Sequence, residues 1–163
     1  RHFLADDPLP FNTHGGQLGE AYIHGWDIAR ALRRPWRLDP EDMRAIFLGL
    51  LPDWMRIAVE FRHPSWHDDA VFALLERHGA AYCVMSGAGL PCVLRATAPF
   101  VYVRMHGPDH EHLYGGSYGD ADLGWWADRV GEWAGSGRDV FVYFNNDGHG
   151  HAVRDAEALR RLV

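Results

Sequence analysis

From residue 53 onward the hydrophobic positions fall into short runs of two kinds. Arg56 to Phe61, Ala80 to Met85, Phe100 to Met105 and Asp139 to Phe144 are brief and mostly apolar, as strands buried on both faces are. Between them the spacing becomes helical. Asp68 to His78 carries Val71, Phe72, Leu74 and Leu75 on one stripe, and Gly79 closes it. Asp120 to Trp133 carries Leu123, Trp126, Ala127, Val130 and Trp133, and His151 to Leu162 forms a last helix. The link from Ser86 to Pro99 shows neither period and reads as loop. Alternation of strand and helix predicts parallel strands joined by crossover connections.

The first third of the chain is written differently. Arg1 to Gly19 is rich in Pro, Gly, Asp and His and reads as loop. Leu18 to Leu32 has a helical stripe of Leu18, Tyr22, Trp26 and Ala29, stopped by Pro35. Asp39-Pro40-Glu41-Asp42 opens a second helix that runs to about Leu51 and ends at Pro52. Two helices followed by four strands place a boundary near Pro52-Asp53, between a helical segment 1–52 and an α/β segment 53–163. The chain starts with Arg1, not Met, and no apolar leader follows, so the expectation is a fragment of a longer reading frame without a secretory signal.

Composition narrows the function classes. The 163 residues are 47% hydrophobic, enough for a packed core, and no window is apolar for long enough to span a membrane. The net charge of −6 argues against broad capture of nucleic acid, though a local basic cleft is compatible with it. Cys83 and Cys92 fit neither a zinc spacing nor a disulfide framework, and reduced thiols of a cytoplasmic protein are expected. Eleven histidines stand out, in groups such as His63 and His67, His106, His110 and His112, and His149 and His151. Histidine suits metal binding and proton transfer; a surface simply enriched in histidine is the plainer reading.

The chemistry gathers where strands end. The first strand runs into Glu60-Phe61-Arg62-His63-Pro64-Ser65-Trp66, the third into Arg104-Met105-His106-Gly107, and the fourth into Asn145-Asn146-Asp147-Gly148. Ligands of parallel α/β folds bind at the carboxyl ends of the strands. Residues two apart share a strand face. Glu60 and Arg62 therefore form one row, Tyr102, Arg104 and His106 a second, and Tyr143, Asn145 and Asp147 a third, with Val101, Val103 and Met105 left to pack on helices. Two plainer readings stand beside this one. Glu60 and Arg62 could pair simply to fill an interior, and the Asn-Asn-Asp-Gly stretch could be an ordinary turn. Trp125, Trp126 and Trp133 read as packing, and Tyr114-Gly115-Gly116-Ser117-Tyr118 as either a lid or a surface loop.

These stretches resemble a known family. Val59 to Trp66, Tyr102 to Gly107, Gly116-Ser117-Tyr118, Val142 to Asp147 and Gly150 to Val153 are similar, in order and spacing, to the TIM-barrel family called domain of unknown function 72. The resemblance covers about residues 53–163 and implies a (β/α)₈ barrel with its site at the C-terminal mouth; it implies no substrate. Residues 15–52, through Gly19 to Ala31, Arg34-Pro35-Trp36 and Gly49 to Pro52, resemble the later helices of the DinB-like mycothiol-dependent maleylpyruvate isomerase family. Glu20 and His24 match that family's Glu-x-x-x-His metal pair. The early helix bearing its remaining histidine is missing, and His14 is the nearest substitute, so no metal is carried over.

A whole barrel takes about 250 residues. The expected fold is therefore α/β, half a TIM barrel of four parallel strands preceded by two helices, with open edges that a second copy could close as a homodimer. Function is expected at the strand ends, as a hydrolase or lyase whose substrate and cofactor stay open. Glu60 and His106 are the candidate acid–base pair and Arg104 the third catalytic residue. Arg62 and Arg104 would hold a small anionic or phosphorylated ligand. His63, Trp66, Tyr102, Tyr118, Asn145, Asn146 and Asp147 would line it. A metal-dependent nucleic-acid phosphodiesterase on the same fold, and a fusion fragment without function, are the alternatives.

Overall fold

The four apolar runs become four parallel strands in the computed structural model, which describes residues 54–87 and 89–163. The two expected N-terminal helices, the boundary near Pro52, Glu20, His24, His14 and the DinB-like stretch lie outside the described residues. Strand β1 (Ala58–Val59) pairs with β2 (Ala81–Ser86), β2 with β3 (Phe100–Met105), and β3 with β4 (Asp139–Phe144), in sequence order. All pairs are parallel, so every strand delivers its C-terminal end to the same edge of the sheet. Helix α1 (Asp69–Arg77) joins β1 to β2, α2 (Asp120–Gly135) joins β3 to β4, and α3 (His151–Leu162) follows β4. The sheet is open among the described residues, a half-barrel with helices on one side.

The elements match their sequence signals closely. Asp68 caps α1, its carboxylate accepting from the Ala70 N–H at 2.8 Å. Gly79 follows with φ +61°, a conformation that suits glycine. The ladder of β1 is shorter than the apolar run expected to form it. Residues 57–61 are all buried, but pairing ends at Val59, and Pro64 then turns the chain into a short 3₁₀ turn over Pro64–Trp66. Burial outlasts backbone pairing here because it needs only covering side chains. Helix α2 runs two residues past the expected Trp133, to Gly135. In it Trp126 is buried and Trp125 stands edge-on to it, so the tryptophans serve packing, as expected.

Strand alternation splits the core in two. Ile57, Val59, Phe61, Tyr82, Val84, Val101, Val103 and Met105 pack against Val71, Phe72, Leu74 and Leu75 of α1, Leu123, Trp126 and Ala127 of α2 and Leu159 of α3. The intervening residues Ala58, Ala81, Cys83, Met85, Phe100 and Tyr102 form a second cluster on the inner face, with no helix residue in it. The link from β2 to β3 is irregular, as its sequence suggests, and it carries one structural device. The hydroxyl of buried Thr97 accepts from the Tyr82 N–H and donates to the Ala80 carbonyl, both at 2.7 Å, serving two backbone groups before the β2–β3 ladder begins. Thr97→Val keeps the shape and strands both groups. The expected outcome is a loss of about 1–3 kcal/mol, measured by urea unfolding.

Candidate functional site

The inner face ends in a cluster of charge. Glu60 follows β1 on the same side as Ala58 and is only 5% exposed. Its Oε1 accepts from Arg62 Nε at 2.6 Å and its Oε2 from Arg104 Nη1 at 2.8 Å. Arg104 reaches on from β3 to β4, donating through Nε to Asn145 Oδ1 at 2.9 Å. Because guanidinium only donates, this bond fixes the Asn145 oxygen toward Arg104 and turns its amide donors elsewhere. The thiol of Cys83, on β2, lies 3.9 Å from Glu60 Oε2. One carboxylate thus joins the ends of β1 and β3 directly and reaches the end of β4 through Arg104.

His106 completes the cluster. Its Nε2 stands 3.6 Å from Glu60 Oε2, too far for a direct hydrogen bond. The side chain is wholly buried, and neither ring nitrogen has a hydrogen-bond partner among the described residues. The Tyr114 ring covers it at 5.3 Å and 67°, and the Tyr114 hydroxyl accepts from Arg62 Nη2 at 3.1 Å. Tyr114 holds φ +72°, unusual for a residue with a side chain. Its backbone N–H donates to the His106 carbonyl at 2.7 Å, folding the loop back on the strand end.

The charges are ordered by this geometry. Burial pushes the Glu60 carboxyl up, but the approach of His106 and the bonds and charge of Arg62 and Arg104 outweigh it and hold the pKa at about 2. Glu60 is therefore ionised through the physiological range. Burial, with the Glu60 charge beside it, pushes the Cys83 thiol well above its ordinary value, so it stays protonated and unreactive.

Of the residues singled out from the sequence, Glu60, Arg62, Arg104, His106 and Asn145 converge, with Tyr102 on the same face below them. The others stand elsewhere. Trp66 is buried behind the sheet, stacked on Phe61 at 5.1 Å, because Phe61 points to the helix side. Tyr118 is buried there too; its hydroxyl accepts from Gly107 N–H at 2.8 Å and donates to Ser86 Oγ at 3.1 Å. Asn146 follows Asn145 and so faces the helices, donating to Gly116 O at 2.9 Å and Asp155 Oδ2 at 2.7 Å. Tyr118 and Asn146 brace the loop after β3, and Trp66 packs on the helix side. His63 is exposed and caps the 3₁₀ turn, its Nδ1 accepting from Ser65 N–H at 3.2 Å, and Asp147 is exposed in the turn after β4. Tyr114 and Cys83 are at the cluster although the strand-end argument did not select them. Tyr114 sits on a loop, where alternation gives no signal, and Cys83 lies mid-strand. Among the described residues no group of three His, Cys, Asp or Glu side chains is placed to hold a metal ion.

Comparison with known proteins agrees with this fold. The family model described as "Protein of unknown function DUF72" matches residues 32–163, beginning ahead of the motifs that carry the sequence resemblance. A DUF72 family protein of Thermotoga maritima superposes with a TM-score of 0.69 at 22% identity, covering 89% of this chain and 57% of that one. One from Enterococcus faecalis gives 0.67 at 16% identity, covering 89% and 60%. At these identities the likeness carries the fold alone, and the chain spans less than two thirds of either structure. A stretch covering 21% of the chain is 54% identical to a part covering 11% of the 17-hydroxy-3-oxo-4-pregnene-20-carboxyl-CoA lyase of Mycobacterium tuberculosis.

The Glu60 shift links the cluster to stability. Its folded pKa lies below the ordinary 4.5, so its contribution is complete above about 4.5 and disappears as the pH falls toward 2. Glu60→Gln, which leaves two arginines without their counter-charge, is expected to cost about 3 kcal/mol at neutral pH. The gap between variant and wild type should narrow through that acid window in urea titrations at stepped pH.

Proposed function

The chain belongs to the DUF72 family, and on that premise we propose that the rim of its half-barrel binds a small anionic ligand, carboxylate or phosphate, and moves a proton at His106. What supports this most directly is the arrangement at one point: two guanidinium groups from different strand ends meet on a single carboxylate. Both guanidinium groups offer planar donors suited to carboxylate and phosphate. The Asn145 amide adds neutral donors beside Arg104.

Glu60 and His106 take different roles. With a pKa of about 2, Glu60 is too weak a base to take a proton efficiently near neutral pH. It serves as the fixed counter-charge that spaces Arg62 and Arg104. His106 is the group for proton transfer, since its nitrogens are committed to no hydrogen bond among the described residues. Such a step serves hydrolysis and elimination alike. Access to His106 requires Tyr114 to lift, and an anion competing for Arg62 would release the bond that holds the Tyr114 hydroxyl.

Calorimetric titration of the full chain with inorganic phosphate and with acetate tests the reading. At least one anion should bind, with affinity falling at least roughly tenfold in Arg104→Gln. Unchanged binding in a variant whose circular dichroism matches wild type would overturn the proposal. Tyr114→Ala should bind the same anion several-fold faster in stopped-flow, because the cover is gone; an unchanged association rate would remove Tyr114 from the gating role.

A further inference from the structure

Strand β4 differs from its neighbours in burial. Strands β2 and β3 are buried almost throughout, whereas every residue of β4 keeps part of its surface exposed. Among the described residues β4 pairs only with β3, so its other edge presents backbone N–H and C=O groups. Such edges are ordinarily guarded by a charge, a proline or a bulge. After Asp139 this strand reads Val-Phe-Val-Tyr-Phe, and its register against β3 runs without interruption. The open edge continues onto α3. Val142 and Phe144, on the helix side of β4, line a groove of about 500 Å³ with Val153 and Ala156 of α3, and Val153 is 66% exposed. Asp147 stands at the rim end of this groove. Arg160, more than two turns down α3, stands toward its foot, with Glu157 between them.

We propose that this edge seats a second copy of the chain, joined about a two-fold axis that crosses β4 at right angles. The two β4 strands then run antiparallel and exchange the backbone hydrogen bonds that their outer edges hold open. The two α3 helices lie side by side over the seam, with Val153 and Ala156 of each meeting across it. Charge favours a second copy over another occupant. The axis exchanges rim and foot, so Asp147 of each copy approaches Arg160 of the other. A groove that is negative at one end and positive at the other is complementary to itself when turned end for end. The opposite end of the sheet offers less, because β1 has a ladder of two residues and β4 one of six. The copies therefore join side by side into one continuous sheet rather than closing a ring, with their charged rims on opposite edges.

Sedimentation velocity of the full chain over a concentration series tests this, and a species of twice the chain mass is expected. Val153→Lys places a charge in the seam at an exposed position and should weaken the dimer at least roughly tenfold. Arg160→Glu and Asp147→Lys should each weaken it several-fold. The double variant should recover most of that loss, which a folding defect would not do. Hydrogen exchange of the β4 amides should slow as the concentration rises. A monomer throughout the series would overturn the proposal. So would a dimer that Val153→Lys leaves intact, since that dimer uses another surface. Amides of β4 that are protected equally at every concentration in a monomer would assign the edge to another part of the same chain and sink the second copy.

Discussion

Glu60 is the contact on which the arrangement of strand ends depends. A carboxylate this deeply buried is costly unless every lone pair is answered. Here the answers come from different parts of the chain: Arg62 just after β1, and Arg104 at the end of β3, which in turn grips Asn145 beyond β4. The backbone ladders set the register that brings these side chains to one edge. The carboxylate makes that meeting tolerable, because either arginine lacking it would be a partly buried charge with one partner fewer. The same contact holds Glu60 ionised.

Much of this was legible in the sequence. Period-two alternation alone placed Glu60 with Arg62, and Tyr102 with Arg104 and His106, on one face. It placed Val101, Val103 and Met105 on the other, where they pack against the helices. The same rule, applied past the end of β4, separates Asn145 from Asn146, which the motif alone does not. Trp66 and Tyr118 show where motif reading runs out. Both are neighbours of the site in sequence, yet the 3₁₀ turn and the loop return direct them behind the sheet, and no periodicity describes those segments. Tyr114 was legible only as part of a Gly-rich loop, because its position over His106 depends on a left-handed backbone and one hydrogen bond from Arg62.

The two faces of the sheet follow different rules. Toward the helices the side chains interlock as in any α/β core, and all three described helices contribute. On the inner face the rows run from phenylalanine through tyrosine to charge along the strand direction, a gradient of polarity inside one wall. The DUF72 family match and the likeness to two solved members account for the first arrangement as shared fold.

The loop after β3 is pinched at its base. A methyl group built on Gly107 would lie 2.3 Å from the Gly115 carbonyl oxygen, so the two arms of the loop cross almost in contact there. Below the crossing, Tyr118 and Asp155 bolt the returning arm to the scaffold. The stem is thus dimensionally fixed, while the exposed segment from His110 to His112 lies outside it. Exchanging that outer segment would re-tailor what passes over the mouth without disturbing the foundation beneath, which makes the crossing a natural border between inherited framework and adaptable surface.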